Sequence, residues 1–278
     1  DLSFGIRINP EHSEGHVLLY DPCAPKSRMG TTRAVWDATA LEAARAGEAD
    51  FLDGISGIHF HNLCEQGAEP LERTLMAIEE HWDDILSRPE ISWLNMGGGH
   101  HVTKPDYNRA LLVSLMQRAR TRWNVEVMIE PGEAVAIHSG ILSSRILDIH
   151  ENGCPIAILD VSATCHMPDT IEMPYTPAVW DAQTLFGRDE IDQTCPGDAI
   201  RLAGRTCLSG DVIGEYRFSS RPARGDVIIL DDMAHYTTVK TTGFNGMPHP
   251  ALVVWDSRTQ SGTTVREFGY QDFISRLS

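Results

Sequence analysis

The chain has 278 residues, 42% of them hydrophobic and 22% charged, and 39 acidic against 23 basic side chains give a net charge of −16. That is enough apolar material for one large domain or two modest ones, and the acidic balance argues against a nucleic-acid partner, whose phosphates need basic surface. No apolar run reaches the roughly 18 residues that span a bilayer and no signal peptide opens the sequence, so a soluble protein without a membrane partner is expected.

In chain order, residues 4–8 read as a strand with no linker before it, as expected of a piece of a longer chain. Residues 34–46 read as a helix stopped by Gly47, and 55–60 as a strand. Residues 69–88 give the clearest helix. Leu71, Leu75, Ile78, Trp82 and Ile85 recur at steps of four and three, with Pro70 near the start and Pro89 just past the end. A strand at 91–96, a helix at 106–123 and a strand at 125–129 complete a β-α-β-α alternation, the signature of a parallel sheet, open or closed into a barrel. Past about residue 138 the texture changes. Short apolar runs at 141–149, 155–161, 212–218, 226–230 and 251–255 are separated by Gly, Pro and Asp, with no long helix between them. An α/β domain over 1–137 and a mostly antiparallel β domain over 138–278 are expected.

Polar groups gather just past the strands of the first half, where parallel α/β architectures bind ligands. Met96-Gly97-Gly98-Gly99-His100 follows one strand. Without Cβ atoms its N–H groups can approach a phosphate, although a triple glycine alone is also an ordinary flexible turn. Ile58-His59-Phe60-His61-Asn62 puts His59 and His61 on one face if the strand stays extended. Such imidazoles suit zinc, with His100, His101 or His166 adding to them; alternatively one ring stacks on a planar cofactor, or the pair is hydrogen-bonded in a core. Glu130-Pro131-Gly132-Glu133 ends a strand with a carboxylate that needs a partner, either a salt bridge or a protonated pyridine nitrogen. In the second half, Cys207-Leu208-Ser209-Gly210-Asp211 suggests a shaped loop. His235-Tyr236 supplies a hydroxyl for phosphate or a core aromatic, and Phe244-Asn245-Gly246 reads as a turn. The six cysteines (Cys23, Cys64, Cys154, Cys165, Cys195 and Cys207) form no CxxC pair and read as reduced thiols of a cytoplasmic protein.

Taken together and in order, Gly5-Ile6-Arg7-Ile8-Asn9-Pro10, Ser27-Arg28-Met29-Gly30, His59-Phe60-His61, Gly97-Gly98-Gly99, Glu130-Pro131-Gly132, Cys207-Leu208-Ser209-Gly210-Asp211, His235-Tyr236 and Phe244-Asn245-Gly246 resemble the landmarks of fold-type III pyridoxal 5'-phosphate (PLP) decarboxylases. This is the alanine racemase/ornithine decarboxylase superfamily, which includes ornithine, arginine and diaminopimelate decarboxylases. The stretches from Arg7 to Ser13, His61 to Glu65, Asn95 to His101, Glu130 to Ala134 and Ser162 to Asp169 favour its carboxynorspermidine decarboxylase branch. The resemblance runs over essentially the whole chain.

It implies a (β/α)8 TIM-type barrel, its first strands upstream of residue 1, followed by the β domain, in a homodimer with shared active sites. It also implies that His61 stacks on the cofactor ring, Glu130 pairs with the pyridine nitrogen, and Gly97, Gly98, Gly99 and Tyr236 hold the phosphate, with Arg7 also on the cofactor side. Cys207 is implied as the proton donor offered to the neighbouring subunit's site, and Arg28 and Asp211 as a cross-subunit ion pair. The family's Schiff-base lysine matches none of Lys26, Lys104 and Lys240, the three lysines of the chain, so it is expected upstream of residue 1. Glu133 stands where many relatives carry arginine, which removes a phosphate contact. Leu208 replaces an acidic residue, which weakens ornithine, arginine and diaminopimelate as substrates. The implied reaction is PLP-dependent decarboxylation of carboxynorspermidine or carboxyspermidine to norspermidine or spermidine in polyamine biosynthesis, with no metal. A cationic substrate calls for carboxylates, and Glu133, Asp169 and Asp211 are the candidates, with His166 beside them. The alternatives are a non-catalytic polyamine- or partner-binding homologue, a decarboxylase for another basic amino acid, and a histidine-rich metal hydrolase on a barrel.

Overall fold

The computed structural model describes residues 2–15, 21–47, 52–186 and 196–277, so Cys195 lies outside the described residues. The chain divides into two compact units, Asp1–Val135 and Ala136–Ser278. Among the described residues no helix is long and apolar enough to cross a membrane.

In the first unit, strands β1 (Phe4–Arg7), β2 (Ile55–His59), β3 (Trp93–Asn95) and β4 (Glu126–Met128) lie side by side in that order, every pair parallel. Helices α1 (Arg33–Ala46), α2 (Ala68–His81), α3 (Asp83–Leu86) and α4 (Arg109–Trp123) fill the crossovers, and a short α5 (Gly132–Ala136) follows β4. Successive parallel strands joined by helices put all the strand C-termini on one side of the sheet. The helices form because their apolar positions share a face. Leu71, Leu75 and Ile78 of α2 and Leu112, Leu115 and Ala119 of α4 are buried in one cluster with Ile58 and Leu94 of the sheet. Each large side chain so buried contributes roughly 1.5–3 kcal/mol.

The helix expected over 69–88 is in fact two. At Trp82 the backbone leaves helical geometry, with φ −130° and ψ 5°. The Trp82 ring is fully buried and meets Trp36 edge-on, the centroids 5.4 Å apart. One residue later, Asp83 accepts a hydrogen bond from Trp123 Nε1 at 2.8 Å. These tertiary anchors on either side of the break override a periodic pattern that continues through it.

In the second unit a six-stranded sheet contains β5 (Leu142–Glu151), β6 (Pro155–Leu159), β7 (Ala182–Phe186), β8 (Ile200–Ala203), β9 (Val212–Phe218) and β10 (Val227–Leu230), in the spatial order β10-β5-β6-β8-β9-β7. Its pairs are antiparallel except β6 with β8. Leu159, Leu202, Ile213, Tyr216 and Leu230 supply its core. Short helices α6 (Ala163–His166) and α7 (Asp169–Glu172) follow β6, and α8 (Tyr236–Lys240) follows β10. A hairpin of β11 (Leu252–Asp256) and β12 (Ser261–Arg266), then α9 (Tyr270–Ile274), come last. The sequence does not announce β7, β8 or β12. β12 is fully exposed and reads Ser-Gly-Thr-Thr-Val-Arg, without the apolar alternation of a half-buried strand.

Candidate active site

Beyond their last residues, β2, β3 and β4 stay stitched together. Phe60 N–H donates to the Asn95 carbonyl at 3.0 Å, Met96 N–H to that of Met128 at 2.9 Å, and Glu130 N–H to that of Gly97 at 2.7 Å. Three loops are thereby held as one surface. On it His59, His61 and Glu130 bring their ring nitrogens and a carboxylate oxygen within 4.8 Å of one another. β2 ends at His59, so the shared strand face expected for the two histidines is not what unites them; the loop that follows brings His61 in.

His61 and Glu130 each have a defined partner. Arg7, the last residue of β1, donates Nη2 to the His61 carbonyl at 3.1 Å. His61 Nδ1 accepts the Gly98 N–H at 3.2 Å, which places the ring proton on Nε2. Burial, helped by the Arg7 cation, pushes the His61 imidazole below its ordinary pKa, so the ring is neutral at neutral pH. Burial also lowers His59, against the pull of Glu130. Glu130 Oε1 accepts from Asn95 Nδ2 at 2.7 Å. Its Oε2 stands 3.8 Å from His59 Nε2, beyond hydrogen-bond reach, and 54% of the side chain is exposed. Glu130 is thus fixed by one oxygen and open at the other.

The glycine run serves this packing directly. A Cβ on Gly97 would strike the Phe60 carbonyl, and one on Gly99 the Leu63 carbonyl, and both residues hold positive φ, +70° and +80°. A Cβ on Gly98 would lie 2.7 Å from the Glu130 carbonyl and 3.1 Å from His61 Cε1. Close approach of neighbouring loops therefore requires the glycines. The N–H groups of Gly97 and Gly98 are spent on Asn95 Oδ1, at 2.9 Å, and on His61 Nδ1.

Three or four residues further along the same loops a second cluster forms from Glu65, His101 and Glu133, again with ligand-capable atoms within 4.8 Å. Burial, then the charges of Glu65 and Glu133, raise the neighbouring Cys64 thiol above its ordinary range. Beside His61 a cavity of about 480 Å³ is lined by Arg7, Lys26, Ser27, Arg28 and Met29, among others. Asn95, Glu65 and the pairing of His101 with Glu133 escaped the sequence reading. Their only signal was position, each within a few residues of a strand end already singled out.

In the second unit Cys207 is exposed on the loop between β8 and β9, and its N–H donates to Asn245 Oδ1 at 2.8 Å. Asn245 takes φ +55°, so the Phe244-Asn245-Gly246 turn shapes the cysteine loop. Tyr236, the first residue of α8, is 54% exposed, with the Lys240 ammonium 5.3 Å over its ring. Lys240 itself pairs with Glu172 at 2.6 Å.

Three residues expected at the substrate are engaged within this unit. Asp211 is buried and offers no free carboxylate. Its oxygens accept from Ser162 Oγ at 3.0 and 2.9 Å, Thr206 Oγ1 at 2.7 Å, and the N–H groups of Thr206 and Thr164 at 3.1 and 3.3 Å. It organises the Cys207 loop. His166 is also buried, with Nδ1 accepting the Ser162 N–H at 3.1 Å and Nε2 bonded to the Pro248 carbonyl at 3.0 Å. Both nitrogens serve the scaffold. Asp169 is buried too and accepts the Tyr175 hydroxyl at 2.6 Å.

Comparison with known proteins bears on all of this. A sequence family described as pyridoxal-dependent decarboxylase, C-terminal sheet domain, matches residues 17–234. A carboxynorspermidine/carboxyspermidine decarboxylase of Campylobacter jejuni is 40% identical over 277 residues, 99% of this chain and 69% of that protein. A carboxyaminopropylagmatine decarboxylase of Synechocystis is 40% identical over 276 residues, 98% of this chain and 65% of that one. Among solved structures, carboxynorspermidine decarboxylase complexed with norspermidine from Campylobacter jejuni aligns with a TM-score of 0.81 at 38% identity, over 99% of this chain and 69% of that one. A diaminopimelate decarboxylase aligns at 0.74 with 19% identity, covering 98% of this chain and 66% of that one, a likeness of fold. The expected fold, a TIM-type barrel with a separate β domain, is the fold of these neighbours.

Proposed function

This chain belongs to the pyridoxal-dependent decarboxylases, and on that premise we propose that it removes the carboxylate of carboxynorspermidine or carboxyspermidine to release norspermidine or spermidine. One observation carries the site reading: Glu130 and His61 stand together, the carboxylate held at one oxygen and open at the other, the imidazole neutral.

These residues fit PLP. An uncommitted carboxylate oxygen suits a protonated pyridine nitrogen, and a neutral imidazole suits the face of an aromatic ring. Bound PLP supplies the electron sink for the pair left on Cα when the carboxylate departs as carbon dioxide. Glu130 would hold the proton on the ring nitrogen through its open oxygen. His61 would cover the ring and exclude water, and Arg7 fixes the His61 backbone through its carbonyl. The Gly97–Gly99 loop would take the phosphate. With the Gly97 and Gly98 amides engaged internally, the Gly99 N–H and the shape of the loop supply its share. Cys207, offered to the neighbouring subunit's site, would deliver the proton that replaces the carboxylate on Cα. Glu133, faced by Glu65 and paired with His101, offers the carboxylates for the distal ammonium groups of the substrate. Lys240 is committed to Glu172, and the Schiff-base lysine is assigned to none of the three lysines of this chain.

A second substrate, carboxyaminopropylagmatine, is favoured by the equal identity to the Synechocystis enzyme. A homodimer is supported by the exposed apolar hairpin of Leu252, Val253, Val254, Trp255 and Val265, and a cytoplasmic setting by the free thiols of Cys23, Cys64, Cys154, Cys165 and Cys207. The test is carbon dioxide release by the holoenzyme from each of the three carboxylated amines, with Glu130→Gln alongside. The expected outcome is fastest turnover of the two spermidine-type substrates and at least a hundredfold loss in Glu130→Gln with the fold retained. Exclusive turnover of carboxyaminopropylagmatine would replace the substrate, and a fully active Glu130→Gln would remove the ring-nitrogen role.

A further inference from the structure

The amide of Asn95 touches both halves of the proposed site. Its Nδ2 donates to Glu130 Oε1 at 2.7 Å, and its Oδ1 accepts the Gly97 N–H at 2.9 Å. Its carbonyl accepts the Phe60 N–H at 3.0 Å, on the loop that carries His61. One residue at the end of β3 therefore ties together the loop of the ring-stacking histidine, the glycine loop and the catalytic carboxylate. No other side-chain type does this at the same size. Asparagine carries a donor and an acceptor on one short planar group, whereas aspartate has only acceptors and serine is shorter by a heavy atom.

We propose that Asn95 is a positioning residue for decarboxylation, holding Glu130 Oε1 so that Oε2 alone faces the ring nitrogen while setting the turn of the glycine loop. The inference rests on the reading of Glu130 given above. A carboxylate free to rotate presents either oxygen, or neither, to a pyridine nitrogen; pinned by Asn95, it presents one. The neighbouring His59 does not pin the other oxygen, since 3.8 Å is too long for a hydrogen bond.

Asn95→Asp separates the two duties. Its carboxylate still accepts the Gly97 N–H, so the glycine loop and its share of the phosphate grip remain. It loses the donor to Glu130 and places a second negative charge beside it, and two adjacent carboxylates resist joint ionisation. In the holoenzyme the expected result is a loss of kcat of about 10–100-fold, the scale on which groups that orient a ligand act. The PLP dissociation constant should stay within about threefold, since the phosphate loop is unchanged, and the melting temperature close to that of the parent. The diagnostic readout is the absorption spectrum of the bound cofactor against pH. Asn95→Asp should add an ionisation absent from the parent, reporting the shared proton, which a purely structural role would not produce. Asn95→Ala, which loses both contacts, should weaken PLP binding as well. An Asn95→Asp enzyme with parental kcat and parental spectral titration, in a background where Glu130→Gln is inactive, would overturn the proposal and leave the role of Glu130 standing. An active Glu130→Gln would overturn both.

Discussion

His101 Nε2 lies 3.2 Å from Glu133 Oε2, and the histidine is only 4% exposed. An ionised carboxylate has no proton to give, so the imidazole N–H is the donor and one oxygen of Glu133 is spoken for. The other remains to meet a cation with Glu65, whose carboxylate completes the cluster. Glu133→Gln keeps the shape and removes the charge. Norspermidine should then bind about tenfold more weakly, which is ~1.4 kcal/mol. KM should rise with little change in kcat, the signature of lost binding that is uniform between ground and transition states. Calorimetric titration of norspermidine into the parent and the variant checks this, and added salt should narrow the difference.

Asp211 makes a different prediction, because its carboxylate is buried under donors from Ser162, Thr164 and Thr206. Asp211→Ala leaves those donors without an acceptor, each at a desolvation cost of roughly 1–3 kcal/mol, so a loss of several kcal/mol is expected. The Asp211 N–H also closes the loop on the Leu208 carbonyl at 2.9 Å. Thermal melts should show the destabilisation. Asp211→Asn, which retains one acceptor oxygen, should restore part of the melting temperature and of the turnover. Normal stability in Asp211→Ala would return the residue to the pool of free carboxylates.

The contrast between Glu130 and Asp211 shows what was legible in the sequence. Parallel βαβ texture and the clusters beyond β2, β3 and β4 follow from hydrophobic periodicity and glycine placement, both local properties. The helix through Trp82 failed because its end depends on Trp36 and Trp123, residues distant in the chain. Whether a carboxylate is open or saturated is likewise a property of groups far away. Ser162 lies 49 positions from Asp211 and Asn95 lies 35 from Glu130. Nothing in the words Glu-Pro-Gly-Glu or Leu-Ser-Gly-Asp distinguishes the two cases.

Acid should destabilise the protein through its histidines before its carboxylates. Burial holds His59, His61 and His166 below their ordinary value in the fold, and His100 is pushed down to about 4. Unfolded, these rings titrate near 6.5. Between those limits the unfolded chain binds more protons than the folded one, so stability falls as pH drops through that window and is independent of these groups above it. Glu14, Asp83 and Asp84, lowered chiefly by hydrogen bonds from Arg73, Trp123 and Arg33 respectively, add their loss only in more acid solution. Melting temperatures at unit steps from pH 8 to pH 4 should be flat at first and then decline below about pH 6.5. His100→Gln should flatten the decline toward pH 4. A melting temperature that rises on acidification would contradict the burial of these rings.

Gly98 offers the sharpest steric test of the site. Unlike Gly97 and Gly99 it does not hold a positive φ in the left-handed range, so alanine can adopt its backbone without strain. The added Cβ would nevertheless sit 2.7 Å from the Glu130 carbonyl and 3.1 Å from His61 Cε1. To make room, the strand-end loops of β2 and β4 must part, and the imidazole and carboxylate separate with them. Gly98→Ala should therefore fold with a melting temperature lowered by that clash alone, and lose cofactor affinity by about tenfold or more, ~1.4 kcal/mol or above, as followed by fluorescence quenching on PLP addition. Gly97→Ala and Gly99→Ala differ in kind. Both force alanine to positive φ and drive its Cβ into a backbone carbonyl, so each should cost stability itself, on the order of 1–3 kcal/mol. If Gly98→Ala bound PLP as tightly as the parent, the close packing of His61, Gly98 and Glu130 would have no part in holding the cofactor.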